Sequence, residues 1–342
     1  MSSDPPPRRL RRGGIAAALA AAVAVALTAG LVTSRASAAP ELPPVTAEEL
    51  VASVIEAEPV AGAATVSVDN GLGLPGAGSE FLTDGSSTAR VWSDGEGRGR
   101  LALPRPDGER TYVRDGATTW VYDSADRSAV RLPERPARTE RPGAAGTDPQ
   151  AAAREIVTAL GERSTVAVDG TTEVAGRPAY TLVLTPLPDE RTVLREVRAA
   201  VDAHTRTPLE LTVLGIGTDP VLRIGVDEVE FGPQDPALFS FTPPPGAAVQ
   251  DAPGHTPAPK PRDGAAPTVV GDGWDAVVVQ DAAGTLPDDV RAQLDGIGAP
   301  VSGPWGTGRE IATNAGSAIV TDDGRFAAGA VGADVLGAAL AR

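Results

Sequence analysis

Only two histidines stand in the 342-residue chain, and there is no cysteine at all. That inventory leaves few ways to build a reactive centre. A serine hydrolase would need His204 as general base with Asp202 orienting it, but nothing nearby supplies a nucleophile on a strand-to-helix turn, and no Gly-x-Ser-x-Gly is present. His255 falls in a Pro-, Ala- and Gly-rich stretch. Two distant histidines without thiolates leave only carboxylates to hold a metal, and Pro188-Asp189-Glu190, Asp322 and Asp323 have the form of charged turns. Gly71-Leu-Gly73-Leu-Pro-Gly76 satisfies Gly-x-Gly-x-x-Gly, yet a dinucleotide site needs that loop to open a helix, and Pro75, Gly76 and Gly78 lead toward more strand. No catalytic residue, cofactor or metal is expected.

The elements that would position any site divide the chain into four parts. Arg8, Arg9, Arg11 and Arg12 precede an apolar run from Ile15 to Val32 and then Ala36-Ser37-Ala38, the pattern of an export signal cut after Ala38. Residues 1–38 are therefore assigned to a signal peptide, which makes the protein extracytoplasmic; an uncleaved N-terminal anchor is the alternative. Mass analysis of the exported form is expected to find a chain beginning at Ala39, and retention of Ile15–Val32 would establish the anchor. Without cysteine, no disulfide and no lipidated N-terminal cysteine can form. The net charge of −15 opposes phosphate backbones, so nucleic acid is not expected as a partner.

Residues 45–246 alternate in the manner of a long antiparallel meander. Thr46-Ala-Glu-Glu49 has the form of a capping box, and Leu50, Val51, Val54 and Ile55 follow at helical spacing. Strands are expected over 64–68, 90–93, 100–103, 110–114, 118–122 and 129–132, punctuated by Asp-Gly turns at Asp84, Asp94, Asp107 and Asp115. Asp148-Pro149 opens a second helix over 151–160, and strands resume over 165–169, 172–174, 179–185, 194–201, 209–214 and 222–231. Leu222, Ile224 and Val226 share one parity while Val229 and Phe231 take the other, which predicts a β-bulge near Asp227-Glu228. Asp235–Gly246 (DPALFSFTPPPG) ends the domain, because three prolines without N–H groups forbid further ladder bonds. Residues 247–267 read as a linker and 268–342 as a small α/β module.

Sheet twist curls a meander of this length, and one apolar concave face covered by two helices would suit an apolar guest. The alternative is that the helices fill that face as core. Candidate lining residues are Trp92, Leu101, Leu103, Tyr112, Trp120, Tyr122, Leu182, Leu184, Leu211 and Ile224; the strand pattern leaves open which face points inward.

The order of these parts resembles the LolA-like lipoprotein carrier superfamily and its actinobacterial members. The motifs are Asp115-Gly-Ala-Thr-Thr-Trp-Val-Tyr-Asp123, Val174-Ala-Gly-Arg-Pro-Ala-Tyr180, Val201-Asp202 with Thr207-Pro208-Leu209, and DPALFSFTPPPG. The related RseB/MucB regulators look similar. The resemblance implies an α+β fold: an incomplete antiparallel half-barrel with a helical lid over its concave face. It further implies acyl chains of lipids or lipoproteins as cargo, with neither catalysis nor cofactor. For an RseB/MucB-like member it implies a membrane-bound anti-sigma factor as partner. No motif here accepts the carrier family's own polar ligand residue.

Overall fold

In the computed structural model the described residues are 40–73, 85–116, 118–133, 163–251, 267–281 and 288–342. The signal segment and the expected helix over 151–160 lie outside them. The first described element is helix α1, Ala47–Glu56. Its start is set locally: the Thr46 hydroxyl accepts from the Glu49 amide and the Glu49 carboxylate accepts from the Thr46 amide, the expected reciprocal cap.

Twelve strands then form one open sheet. They are β1 (Gly62–Asn70), β2 (Gly85–Ser93), β3 (Gly99–Arg105), β4 (Gly108–Arg114), β5 (Thr118–Asp123), β6 (Ser128–Pro133), β7 (Ser164–Val174), β8 (Arg177–Pro186), β9 (Leu194–Asp202), β10 (Pro208–Gly215), β11 (Pro220–Phe231) and β12 (Ala248–Asp251). The spatial order is β12-β6-β5-β4-β3-β2-β1-β11-β10-β9-β8-β7, so β1 pairs with β11 and the edges at β12 and β7 never meet. This is the incomplete antiparallel barrel expected from the motif order.

Two local differences from expectation have physical causes. The strands expected over 165–169 and 172–174 are one strand, β7, because a register shift between Val168 and Thr171 absorbs Asp169-Gly170 without breaking the ladder to β8. The first residues of the expected linker over 247–267 form a strand. Ala248–Asp251 pairs in parallel with Ser128–Arg131 of β6, and Arg131 Nε lies 2.6 Å from Asp251 Oδ1, so this short segment covers an otherwise open edge.

The register assigns the faces. On the inner face, Leu182, Ala199, Leu211, Ile224 and Val68 stand directly opposite one another across five strands. Ala64, Val91, Leu101, Tyr112, Val121 and Val130 continue that face across β1–β6. The expected bulge occurs: the β1–β11 register shifts between Thr65 and Val66, opposite Glu228 and Val226, which returns Val229 to the same face as Val226. Helix α1 covers the β7–β10 side, where Leu50 is fully buried among Tyr180, Leu182, Leu184 and Val213. Burying one leucine in this way contributes about 1.5–3 kcal/mol.

The outer face is covered by the chain end of the meander. A 3-10 turn at Pro236–Phe239 buries Phe239 against β3, and Phe241 stacks with Trp120 and Tyr122 at centroid distances of 5.5 and 5.6 Å. Underneath, Val113 and Ala129 have no exposed surface.

The C-terminal module is a six-stranded sheet in the order β13-β14-β18-β17-β16-β15. Its strands are β13 (Thr268–Val270), β14 (Val277–Asp281), β15 (Ala299–Gly303), β16 (Gly306–Thr313), β17 (Gly316–Thr321) and β18 (Arg325–Gly329), with helices α2 (Asp288–Ile297) and α3 (Ala333–Leu340). Main-chain bonds join it to the end of the half-barrel: Val193 N–H donates to the Ala330 carbonyl at 2.9 Å and Asn314 N–H to the Leu72 carbonyl at 2.8 Å. Trp274 reaches into the half-barrel's own core cluster.

Candidate functional site

The ten candidate residues fall on two faces. Leu101, Leu103, Tyr112, Leu182, Leu184, Leu211 and Ile224 belong to the inner face by register. Trp92, Trp120 and Tyr122 do not: Trp92, Arg100, Val113 and Trp120 stand opposite one another on the outer face, with Tyr122 two residues further along β5. The strand Thr118–Asp123 is apolar on both sides because Phe241 covers one of them, so alternation alone could not say which parity looks inward. Trp92 lies between two cations instead, with the guanidinium of Arg90 at 5.1 Å and that of Arg100 at 5.9 Å from its ring.

The inner seven divide again. Leu182 and Leu184 are buried beneath α1 and serve as core. Leu101 and Tyr112 are only half-buried, as are Val121 and Val130 beyond them. An apolar row thus crosses β3–β6 on the face away from Phe241, half-open among the described residues. Val121 and Val130 were missed at the sequence level. Counting outward from the Asp115-Gly116 turn would have placed Val121 beside Tyr112.

Ionic groups stand at the two ends of the sheet. At the β5–β6 turn the Asp123 carboxylate meets two guanidiniums, Arg105 and Arg110, the latter at 2.8 Å. Burial alone would push this carboxyl up, but the hydrogen bonds from Arg110 and Arg105 and from the Asp126 amide hold it down to about 2. At the opposite end, in the β9–β10 turn, Asp202 is fully buried and pairs with Arg177. Its Oδ1 accepts the amides of His204 and Thr205 at 2.9 and 2.7 Å. Burial again works against ionisation, and Arg177 with those two amides outweighs it, keeping the carboxyl below the ordinary range.

These contacts bear on a hydrolase built from His204 and Asp202. Asp202 receives the backbone N–H of His204, and its oxygens are committed to Arg177 and the turn; the His204 side chain is exposed. The pair is a capped hairpin turn. His204→Ala is expected to leave binding and stability unchanged within about 0.5 kcal/mol. Loss of function in a folded His204→Ala protein, read by the ligand assay below beside a thermal melt, would contradict this. Among the described residues no group of three or more His, Asp or Glu could hold a metal ion, and no helix is long and apolar enough to cross a membrane. The Gly71–Gly73 portion of the glycine loop opens no helix; the Asn314 side-chain amide donates to the Gly71 carbonyl at 2.7 Å, tying the loop to the C-terminal module. Positions 74–76 lie outside the described residues.

No family model matches the chain, and no curated protein matches it. Among solved structures, the chain is similar to MucB of Pseudomonas aeruginosa in the MucA/MucB complex, with 16% identity over 86% of this chain and 96% of that one, at a TM-score of 0.47. It is also similar to LprF from Mycobacterium bovis, with 12% identity over 59% of this chain and 97% of that one, at 0.31. A LolA superfamily protein from Nitrosomonas europaea aligns with 12% identity over 58% of this chain and 99% of its own length, at 0.24. These are the superfamily and the regulators that the motif order resembles, and at such identities and scores the likeness carries no conclusion about ligand or partner.

Proposed function

We propose that the protein is an extracytoplasmic, non-enzymatic carrier that holds an acyl chain of a lipid or lipoprotein against the inner face of its open sheet. One observation carries this reading: Leu101, Tyr112, Val121 and Val130 form a half-open apolar row across four adjacent strands, while the outer face of the same strands is closed by Phe239 and Phe241. Each methylene buried there contributes about 0.8 kcal/mol, so roughly ten supply about 8 kcal/mol gross before ordering costs.

The test is uptake of a fluorescent fatty acid by the purified full chain, with mass spectrometry of any lipid extracted from it. Tyr112→Asp places an unpaired carboxylate on the row and is expected to weaken uptake at least tenfold. Thr88→Asp, an exposed site on β2 away from the row, is expected to leave uptake unchanged. A Tyr112→Asp protein that folds and binds the probe at wild-type affinity would sink the reading. Wild type that takes up no probe, yet retains the exoplasmic domain of an anti-sigma factor in a pull-down, would replace it with the regulator reading.

A further inference from the structure

The half-barrel contains the same hairpin turn twice. In Asp123-Ser-Ala-Asp-Arg127 and Asp202-Ala-His-Thr-Arg206, the first residue's Oδ1 accepts the amides two and three positions on. In both, the arginine at the fifth position takes a left-handed conformation, φ 49° at Arg127 and 60° at Arg206. Because the turn itself dictates the backbone, the two arginines form an internal comparison. Arg127 Nη2 donates to the Pro245 carbonyl at 2.9 Å. Among the described residues Arg206 has no such acceptor: its Nη1 is buried without a hydrogen-bond partner, and the guanidinium stacks over the Tyr180 ring at 5.3 Å.

A guanidinium carries five donors and cannot discharge by losing a proton, so an orphaned buried N–H is costly unless an acceptor arrives. The nearest carboxylate in sequence, Asp202, is already taken by Arg177 and the turn amides. Tyr180 belongs to the inner-face cluster, and its hydroxyl is held by the Pro43 carbonyl at 2.9 Å, so the ring under Arg206 is fixed. The cation therefore sits beside the α1-covered part of the inner face, at the end away from the C-terminal module. We propose that Arg206, backed by Tyr180, binds the anionic headgroup of an amphiphile whose chain lies on the inner face. This rests on the carrier reading and adds the charge of the cargo: a carboxylate or phosphate headgroup, which a planar guanidinium grips with paired charge-assisted bonds.

The experiment compares three fluorescent probes of equal chain length: a fatty acid, a lysophosphatidic acid and a neutral monoacylglycerol. Wild type is expected to prefer one or both anionic probes by about tenfold. Preference for both identifies a general anion site, and for the lysophosphatidic acid alone a phosphate site. Arg206→Gly suits the left-handed backbone, so it removes the guanidinium without strain; it is expected to erase the preference while neutral-probe affinity stays within about twofold. Arg127→Gly, in the sister turn, is expected to keep the preference. Retention of the preference in Arg206→Gly overturns the proposal, as does an equal loss for all three probes, which would make Arg206 a packing residue. Binding of the neutral probe as tightly as the anionic ones by wild type overturns it too, while leaving the carrier reading intact. Uptake of no probe at all removes the carrier reading and this proposal together.

Discussion

Asp202→Ala is expected to destabilise the half-barrel by about 3–5 kcal/mol, the loss that follows when one member of a buried ion pair is removed. Asp202 has no exposed surface, and its carboxylate is the meeting point of Arg177, two turn amides and the Thr205 hydroxyl at 3.0 Å. Truncation strands all of these donors at once. The guanidinium of Arg177 would keep only its stacking on Phe231, 4.7 Å from the ring. Against a typical domain stability of about 5–15 kcal/mol this is a large fraction. Urea titration should show a lower midpoint at unchanged slope. Asp202→Asn, which keeps the shape and one acceptor, should cost less. Because the folded carboxyl lies below its ordinary value, its contribution is complete above the unfolded pKa and is lost as pH falls through the folded one. The wild type should therefore lose stability in acid more steeply than Asp202→Asn. A change below about 1 kcal/mol in Asp202→Ala would mean that the turn holds without its cap.

What was legible in the sequence was what is decided locally. The capping box at Thr46 and Glu49 is complete within four residues, and the parity change between Val226 and Val229 announces its own bulge. The antiparallel meander followed from many short strands with Asp-Gly turns, and its openness from the family resemblance. What stayed hidden was decided by partners far along the chain. Trp120 and Tyr122 look outward because Phe241, more than a hundred residues later, stacks on them. Ala248–Asp251 is a strand only because β6 offers it an open edge, and its own four residues carry no strand signal. The repeated Asp-x-x-x-Arg spacing was in plain view, but the difference between Arg127 and Arg206 is the carbonyl of Pro245, which spacing cannot supply.

Trp274→Ala is expected to cost about 3–5 kcal/mol and to uncouple the two modules. Trp274, between β13 and β14 of the C-terminal sheet, is 4% exposed because its ring completes the half-barrel cluster of Leu184, Leu194 and Tyr180. Its indole N–H donates to the Ser164 hydroxyl at 2.8 Å, and its backbone N–H to the Glu190 carboxylate at 2.8 Å. Arg163 grips Asp272 with Nη2 at 2.8 and 2.9 Å from the two carboxylate oxygens. Burial raises the Glu190 carboxyl, the amides of Trp274 and Asp275 only partly offsetting it. A raised acid favours the folded state at low pH, so acidification should not loosen this contact through Glu190, the reverse of its effect at Asp202. The Pro- and Ala-rich stretch between the modules remains the expected point of proteolytic nicking. The joint changes what nicking should yield: wild-type fragments should co-elute on gel filtration, held by Trp274 and the main-chain bonds at Val193 and Asn314. Fragments of Trp274→Ala should separate, and its thermal unfolding should split into two transitions. Wild-type fragments that part without the substitution, or a variant with one transition at the wild-type midpoint, would show that Trp274 does not hold the modules together.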